Sequence, residues 1–171
     1  MIQPLGGPEN KVEISYLADH PEVLGDLAAG FKAQWASHFA DQPLEAIKMG
    51  FANCCREKGV PCALVAMVEG TFAGTASLRP ESGTVCPGKG PWLTHLYVTP
   101  AFRNQGIGTR LIRAVEAEAR RNGFAELHAA TARAAPVFER SGWQKIEVVE
   151  YQGDRVSVFR TELQSDGTIE T

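Results

Sequence analysis

The stretch TPAFRNQGIGTR, residues 99 to 110, sets two glycines, Gly106 and Gly108, at the start of a helical pattern. Glycine costs roughly 1 kcal/mol relative to alanine inside a helix, so its use at a helix entrance needs a reason. Before the stretch, WLTHLYV (92–98) reads as a buried strand rich in β-branched and aromatic residues. After it, Leu111, Ile112, Val115 and Ala119 keep the helical spacing begun at Ile107; Glu116 and Glu118 fall off that face, and Asn122-Gly123 supplies a left-handed C-cap. A strand that ends in a glycine-containing turn and feeds a helix points free amide N–H groups, and the positive end of the helix dipole, at one spot. That is the physics of a phosphate site. Gly106 and Gly108 have no Cβ to hold a phosphate off the backbone, and they accept dihedrals that other residues resist.

The two familiar phosphate loops do not fit. A Walker A loop ends in Gly-Lys-Ser or Gly-Lys-Thr, which occurs nowhere in the chain, and Gly88-Lys89-Gly90 fails the test; the dinucleotide fingerprint G-x-G-x-x-G meets Leu111 at its third glycine.

The rest of the chain supplies the frame. VEISYLA (12–18) reads as a strand, and two segments, through Leu24, Leu27, Ala28, Phe31 and Trp35 and through Leu44, Ile47, Phe51 and Cys54 or Cys55, carry the spacing of helix faces. Residues 62–80 read as a hairpin turning at Glu69-Gly70, 81–90 as an irregular loop, 125–131 as a strand, 133–141 as a short helix, and the remainder as a hairpin turning at Gln152-Gly153-Asp154. The predicted order is β-α-α-β-β-β-α-β-α-β-β, an α/β fold with a mixed sheet. It makes one domain over residues 1–163, with 164–171 expected as a disordered tail.

Composition narrows the class. With 171 residues, 44% hydrophobic and 22% charged, the chain suits one globular domain, and it holds no apolar run of the roughly 18 residues that a membrane span needs. The formal net charge of -3 argues against a nucleic-acid binder. The start MIQPLGGPENK lacks the features of a secretory signal, so the expected location is cytoplasmic. Cys54, Cys55, Cys62 and Cys86 show no metal-ligand spacing, so no metal is expected; at least one of Cys54 and Cys55 reads as a small buried hydrophobe.

Arg103-Asn104-Gln105-Gly106-Ile107-Gly108 fills the pattern [RQ]-x-x-G-x-[GA], and the later Val137-Phe138-Glu139-Arg140-Ser141-Gly142-Trp143 is similar to a second family segment, "lYeklGF". With a strand before and a helix after, the chain resembles the GNAT superfamily of N-acetyltransferases, strongly over about residues 62–162 and by element order before that. The resemblance implies the GNAT acyltransferase fold, acetyl-CoA as co-substrate, a primary amine as acceptor and direct attack in a ternary complex. It implies that the pyrophosphate lies on the backbone of Arg103, Asn104, Gln105, Gly106, Ile107, Gly108, Thr109 and Arg110. The pantetheine arm would run along Leu96, Tyr97 and Val98, with the Leu96 amide donating to the thioester carbonyl as an oxyanion donor. Arg103 and Arg110 could reach phosphate, while Arg113, Arg120 and Arg121 read as a solvated face. A homodimer is the expected state, and a small-molecule amine is the expected acceptor.

The catalytic side chains depart from the family pattern. The family tyrosine that protonates the departing thiolate is replaced by Phe138, at the same place in the cofactor site; a phenol titrates near 10 and can serve, a benzyl ring cannot. Family bases fall at positions matching Trp92 and Thr94, neither of them basic. His95 is the remaining candidate base, although strand alternation sends it to the opposite face unless a bulge intervenes. His20, His128, Glu69 and Glu81 read as structural or solvated groups. Trp35, Trp92 and Thr94, with loop 81–90, are the candidate acceptor pocket; Phe31 and Phe51 read as core beside it. The rival reading is an acyl-CoA-binding module with weak or no transferase activity.

Overall fold

The computed structural model describes residues 11–53, 59–81, 86 and 88–164. Cys54, Cys55 and the tail from Ser165 lie outside them. In chain order the elements are β1 (Val12–Tyr16), α1 (Leu24–Gln34), α2 (Ala36–Phe39), α3 (Leu44–Ala52), β2 (Cys62–Val68), β3 (Thr71–Arg79), β4 (Trp92–Val98), α4 (Ile107–Arg121), β5 (Glu126–Thr131), α5 (Ala135–Arg140), β6 (Gln144–Tyr151) and β7 (Asp154–Glu162). Three short 3-10 turns join them, at Leu17–Asp19, Pro21–Val23 and Pro100–Phe102. The first strand is shorter than the sequence suggests and the early helical region breaks into three pieces, with the break at Trp35, whose φ and ψ leave the helical region. No described helix is long and apolar enough to cross a membrane.

Seven strands form one mixed sheet in the order β1-β2-β3-β4-β5-β7-β6. Every neighbouring pair is antiparallel except β4 with β5. The run CALVAMV of β2 is buried throughout, because helices cover both sides. Cys62, Leu64, Ala66 and Val68 face a core built with α4, whereas Ala63, Val65 and Met67 face a second core built with α1 and α3. Gly30 of α1 marks how closely the second layer packs, since a Cβ there would stand 2.6 Å from the Tyr97 hydroxyl of β4.

One expectation is corrected. Glu116 and Glu118, read as off the buried face of α4, are 3% and 2% exposed. Glu118 accepts the Tyr16 hydroxyl at 2.9 Å and pairs with Arg121. Glu116 accepts Trp143 Nε1 at 2.8 Å and Arg113 at 3.0 Å, with Arg120 within 3.8 Å. Arg113, Arg120 and Arg121 are therefore partners of buried carboxylates, not merely a solvated face. The helix periodicity missed this because Tyr16 and Trp143 arrive from far away in the chain and cover the flanks of α4.

Candidate active site

The site begins where the sheet opens. Strands β4 and β5 pair only at Trp92↔His128 and Leu93↔Ala129, after which β5 stays paired with β7 alone. From Thr94 onward the side of β4 that would face β5 is a free backbone edge. The start of α4 stands at this opening: a Cβ on Gly108 would lie 3.8 Å from both Val98 at the end of β4 and Val137 in α5.

The glycine turn divides its two roles. Gly106 is the N-cap of α4 at φ 80°, in the left-handed region, and a Cβ there would meet nothing within 4 Å, so this glycine serves conformation. Gly108 is inside the first turn, and its missing side chain leaves space between β4 and α5. Asn104 shares the left-handed conformation at φ 63°. No side chain caps the helix, its first turn carries no acidic residue, and the first turn-closing bond runs from Arg110 N to Gly106 O at 3.1 Å. The amides of Ile107, Gly108 and Thr109 thus precede the helix's own bonding pattern and, with the dipole, form an anion-binding end.

The side chains around the turn are partly committed elsewhere. Arg103 donates from Nε to the Val98 carbonyl at 2.9 Å and from Nη2 to Gln34 Oε1 at 2.8 Å, with its guanidinium 6.0 Å from the Tyr97 ring centre. It braces β4 against α1. Gln105 donates to the Ala101 carbonyl at 3.4 Å. Arg110 is exposed and makes no ion pair among the described residues.

A bulge reorients the middle of β4. Thr75 pairs with Tyr97 and Ser77 with Thr94, so His95 and Leu96 together oppose Ala76, and His95 adopts φ 55°. Leu93 and Leu96, an odd number of residues apart, consequently both pack on the α4 side. His95 turns toward the helices of the other face, its ring 5.7 Å from Phe31 and 5.3 Å from Phe51. Its Nδ1 lies 3.2 Å from Thr94 Oγ1. Burial, and secondarily the charge of Arg79, push the imidazole down to about 4, so it is neutral at physiological pH. The alternation expected from sequence fails here because the bulge takes up one extra residue.

The other candidates fall in three places. Trp35 is partly buried and packs in tilted contacts with Phe31 and Tyr97, at 4.6 and 6.1 Å. Thr94 is partly buried across from Ser77, whose buried hydroxyl has no hydrogen-bond partner among the described residues. Trp92, expected at the acceptor pocket, is fully buried, its Nε1 bonded to the Lys89 carbonyl at 2.6 Å and its ring 5.2 Å from His128, so it presents no surface to an acceptor. Phe138 is 2% exposed, stacked on Phe159 at 5.5 Å and edge-on to Trp143 at 5.0 Å, which makes it a core residue behind the opening. His128 is likewise buried and His20 pairs with the exposed Glu22 at 3.0 Å.

Sequence reasoning passed over two features. Arg79, at the end of β3, pairs in register with Trp92 and is partly buried. An open cavity of about 430 Å³ lies between α2 and the β6–β7 turn, lined by Ser37, Gln152, Gly153 and Asp154. The only signal for Arg79 was the polar alternation Thr75, Ser77, Arg79 within an apolar strand; the cavity joins segments more than a hundred residues apart and left no local signal.

Comparison with known proteins agrees with this geometry. The profile of the acetyltransferase (GNAT) family matches residues 26–143. An aminoglycoside 6'-N-acetyltransferase complexed with coenzyme A superposes with a TM-score of 0.72 at 16% identity, over 89% of this chain and 97% of that one. The aminoglycoside 6'-N-acetyltransferase from Enterococcus faecium gives 0.68 at 17% identity, over 89% and 97%. RimL, a ribosomal-protein alpha-N-acetyltransferase in complex with coenzyme A, gives 0.70 at 16% identity, over 94% and 98%. No curated protein matches the chain by sequence. A split between β4 and β5, an uncapped glycine turn at the opening and a family profile covering most of the chain lead to one conclusion: the chain belongs to the GNAT family and is an acetyl-CoA-dependent N-acetyltransferase.

Proposed function

We propose that the protein moves an acetyl group from acetyl-CoA to the primary amine of a small molecule, by direct attack within a ternary complex. The observation that carries this reading is the opening between β4 and β5, with the uncapped start of α4 beside it. The residues fit the co-substrate. The backbone of Arg103 to Arg110 would hold the pyrophosphate, and Leu96, Tyr97 and Val98 offer a strand edge for the pantetheine arm. When bound, the thioester supplies an activated acyl group. The Leu96 amide, at a bulge position with no register partner, is the oxyanion donor in this reading.

His95 is the proposed base, and its environment defines what it can do. A neutral imidazole accepts a proton in passing but, held near 4, does not strip an ammonium that titrates near 10. The amine therefore reaches the site as the minor neutral form, with His95 and Thr94 as a relay. Phe138 brings no hydroxyl, so the thiolate takes its proton from water. The protein works as a homodimer in the cytoplasm in this reading.

The test is purified protein with acetyl-CoA and a broad panel of amines, followed by free thiol. Thiol release above the amine-free rate, with N-acetylated product, supports the transferase reading. Thermal stabilisation by CoA without thiol release across the panel favours the acyl-CoA-binding alternative, which Phe138 motivates. Absence of CoA stabilisation overturns both.

A further inference from the structure

We propose that Arg79 selects the acceptor by receiving a carboxylate carried on the same molecule as the amine, so that the acceptor is amino-acid-like rather than a polycation. The inference rests on the transferase reading and adds the chemical class of its substrate.

Register puts the guanidinium on the right face. Leu78 and Leu93 form a cross-strand pair in the α4 core, while Thr75 pairs with Tyr97, which packs against α1 and α3. Along β3 the positions Thr75, Ser77 and Arg79 therefore share the face of α1 and α3, the face to which the bulge turns His95. Arg79 is partly buried, yet makes no hydrogen bond or ion pair among the described residues. Other arginines of the sheet and of α4 reach carboxylates: Arg113 and Arg120 pair with Glu116, Arg121 with Glu118 and Arg160 with Glu126.

An unpaired guanidinium in a partly desolvated place is poised for a planar, bidentate anion, and carboxylate is the match. Ser77 adds a second group on the same face, its buried hydroxyl without a hydrogen-bond partner among the described residues. The charge of Arg79 also reaches His95, lowering the imidazole after burial does, so Arg79 brings positive charge close to the reaction centre. A polycation entering there would meet repulsion. An amino acid would be steered with its carboxylate on Arg79 and its neutral amine toward His95. Trp35, partly buried and packed against the buried Phe31, offers the apolar face for the rest of the molecule.

The experiment uses matched pairs that differ only in the carboxylate: phenylalanine and phenethylamine, tryptophan and tryptamine, leucine and isopentylamine. Relative kcat/KM is read by thiol release, and the N-acetylated product of each is titrated by calorimetry with and without CoA. Product binding needs no turnover, so the parent reading fails on CoA itself and this one on the pair ratio. The expected result is at least tenfold preference for the carboxylated member in one or more pairs. That preference falls to near unity in Arg79→Gln and is retained in part by Arg79→Lys, both with unchanged CoA affinity. Ratios near unity in all pairs for the native protein, or a preference that survives Arg79→Gln, would overturn the proposal.

Discussion

The two faces of β4 solve different problems with different materials. On the α4 side the chemistry is backbone: a free strand edge, amides at a helix start, and a glycine whose absent side chain leaves room. On the α1 and α3 side it is side chains: His95, Arg79 and a set of aromatic rings drawn from four separate elements. A backbone site tolerates drift of the surrounding residues and binds one invariant ligand. A side-chain site can be rebuilt for each acceptor. The contrast explains how a chain can share the fold of acetyltransferases with very different acceptors at 16% identity.

The two glycines that stand on opposite faces of β4 give the sharpest way to break this comparison. Gly108→Val is expected to have the largest effect, because two methyls would fill the space between Val98 and Val137 beside the proposed pyrophosphate site. Loss of one or two charge-assisted bonds to phosphate corresponds to roughly 10- to 100-fold weaker CoA binding by calorimetry, with Tm changed little, since the Cβ itself has ordinary contacts at 3.8 Å. Unchanged affinity would remove the cofactor assignment. Gly30→Ala should do the reverse: its Cβ would stand 2.6 to 2.9 Å from the Tyr97 ring, which is held by Phe31 and Trp35, so overpacking costs about 1–3 kcal/mol in denaturant unfolding. CoA affinity should stay near the native value if the two faces are separable.

A smaller effect concerns pH. His95 titrates near 4 when folded and near 6.5 when unfolded, so the unfolded chain binds the extra proton between those values. Its stabilising contribution is complete above about pH 6.5 and is lost as pH falls toward 4. His128, also lowered by burial, acts with the same sign. His95→Phe should therefore flatten, without abolishing, the decline of Tm between pH 6.5 and pH 4. Equal slopes in the variant and the native protein would contradict the buried, neutral imidazole. In the native enzyme, the acetylation rate should rise with pH toward the amine's own pKa with no step near 6.5.

The smallest effect is expected from Arg103→Ala. The guanidinium is already used on Val98, Gln34 and Tyr97, so the loss should be below about 1 kcal/mol of stability and a few-fold in CoA affinity. A tenfold or larger rise in Kd would mean that Arg103 leaves these partners to bind phosphate.

Legibility in the sequence followed the same divide. The glycine turn, the apolar run of β2 and the hairpins could be read because each is decided by neighbours within a few residues. The bulge could not, since nothing in Thr94-His95-Leu96 marks it: no glycine or proline is present, and the extra residue exists only relative to β3. Glu116 and Glu118 looked exposed because their partners, Trp143 and Tyr16, are 27 and 102 residues away. Trp92 looked like a pocket wall from its place in the strand, but its burial depends on the packing of His128 and on Lys89. Arg79 went unnoticed because what distinguishes it is partial burial without a partner among the described residues, which a sequence does not display.

Those buried carboxylates bear on timing as well as on stability. By gripping Tyr16 on one flank and Trp143 on the other, Glu118 and Glu116 fasten α4 to β1 and to the segment after α5. The amides at its opposite end are then preorganised before any ligand arrives. Association with the pyrophosphate would not wait for a loop to order, and little conformational entropy would be lost in the encounter.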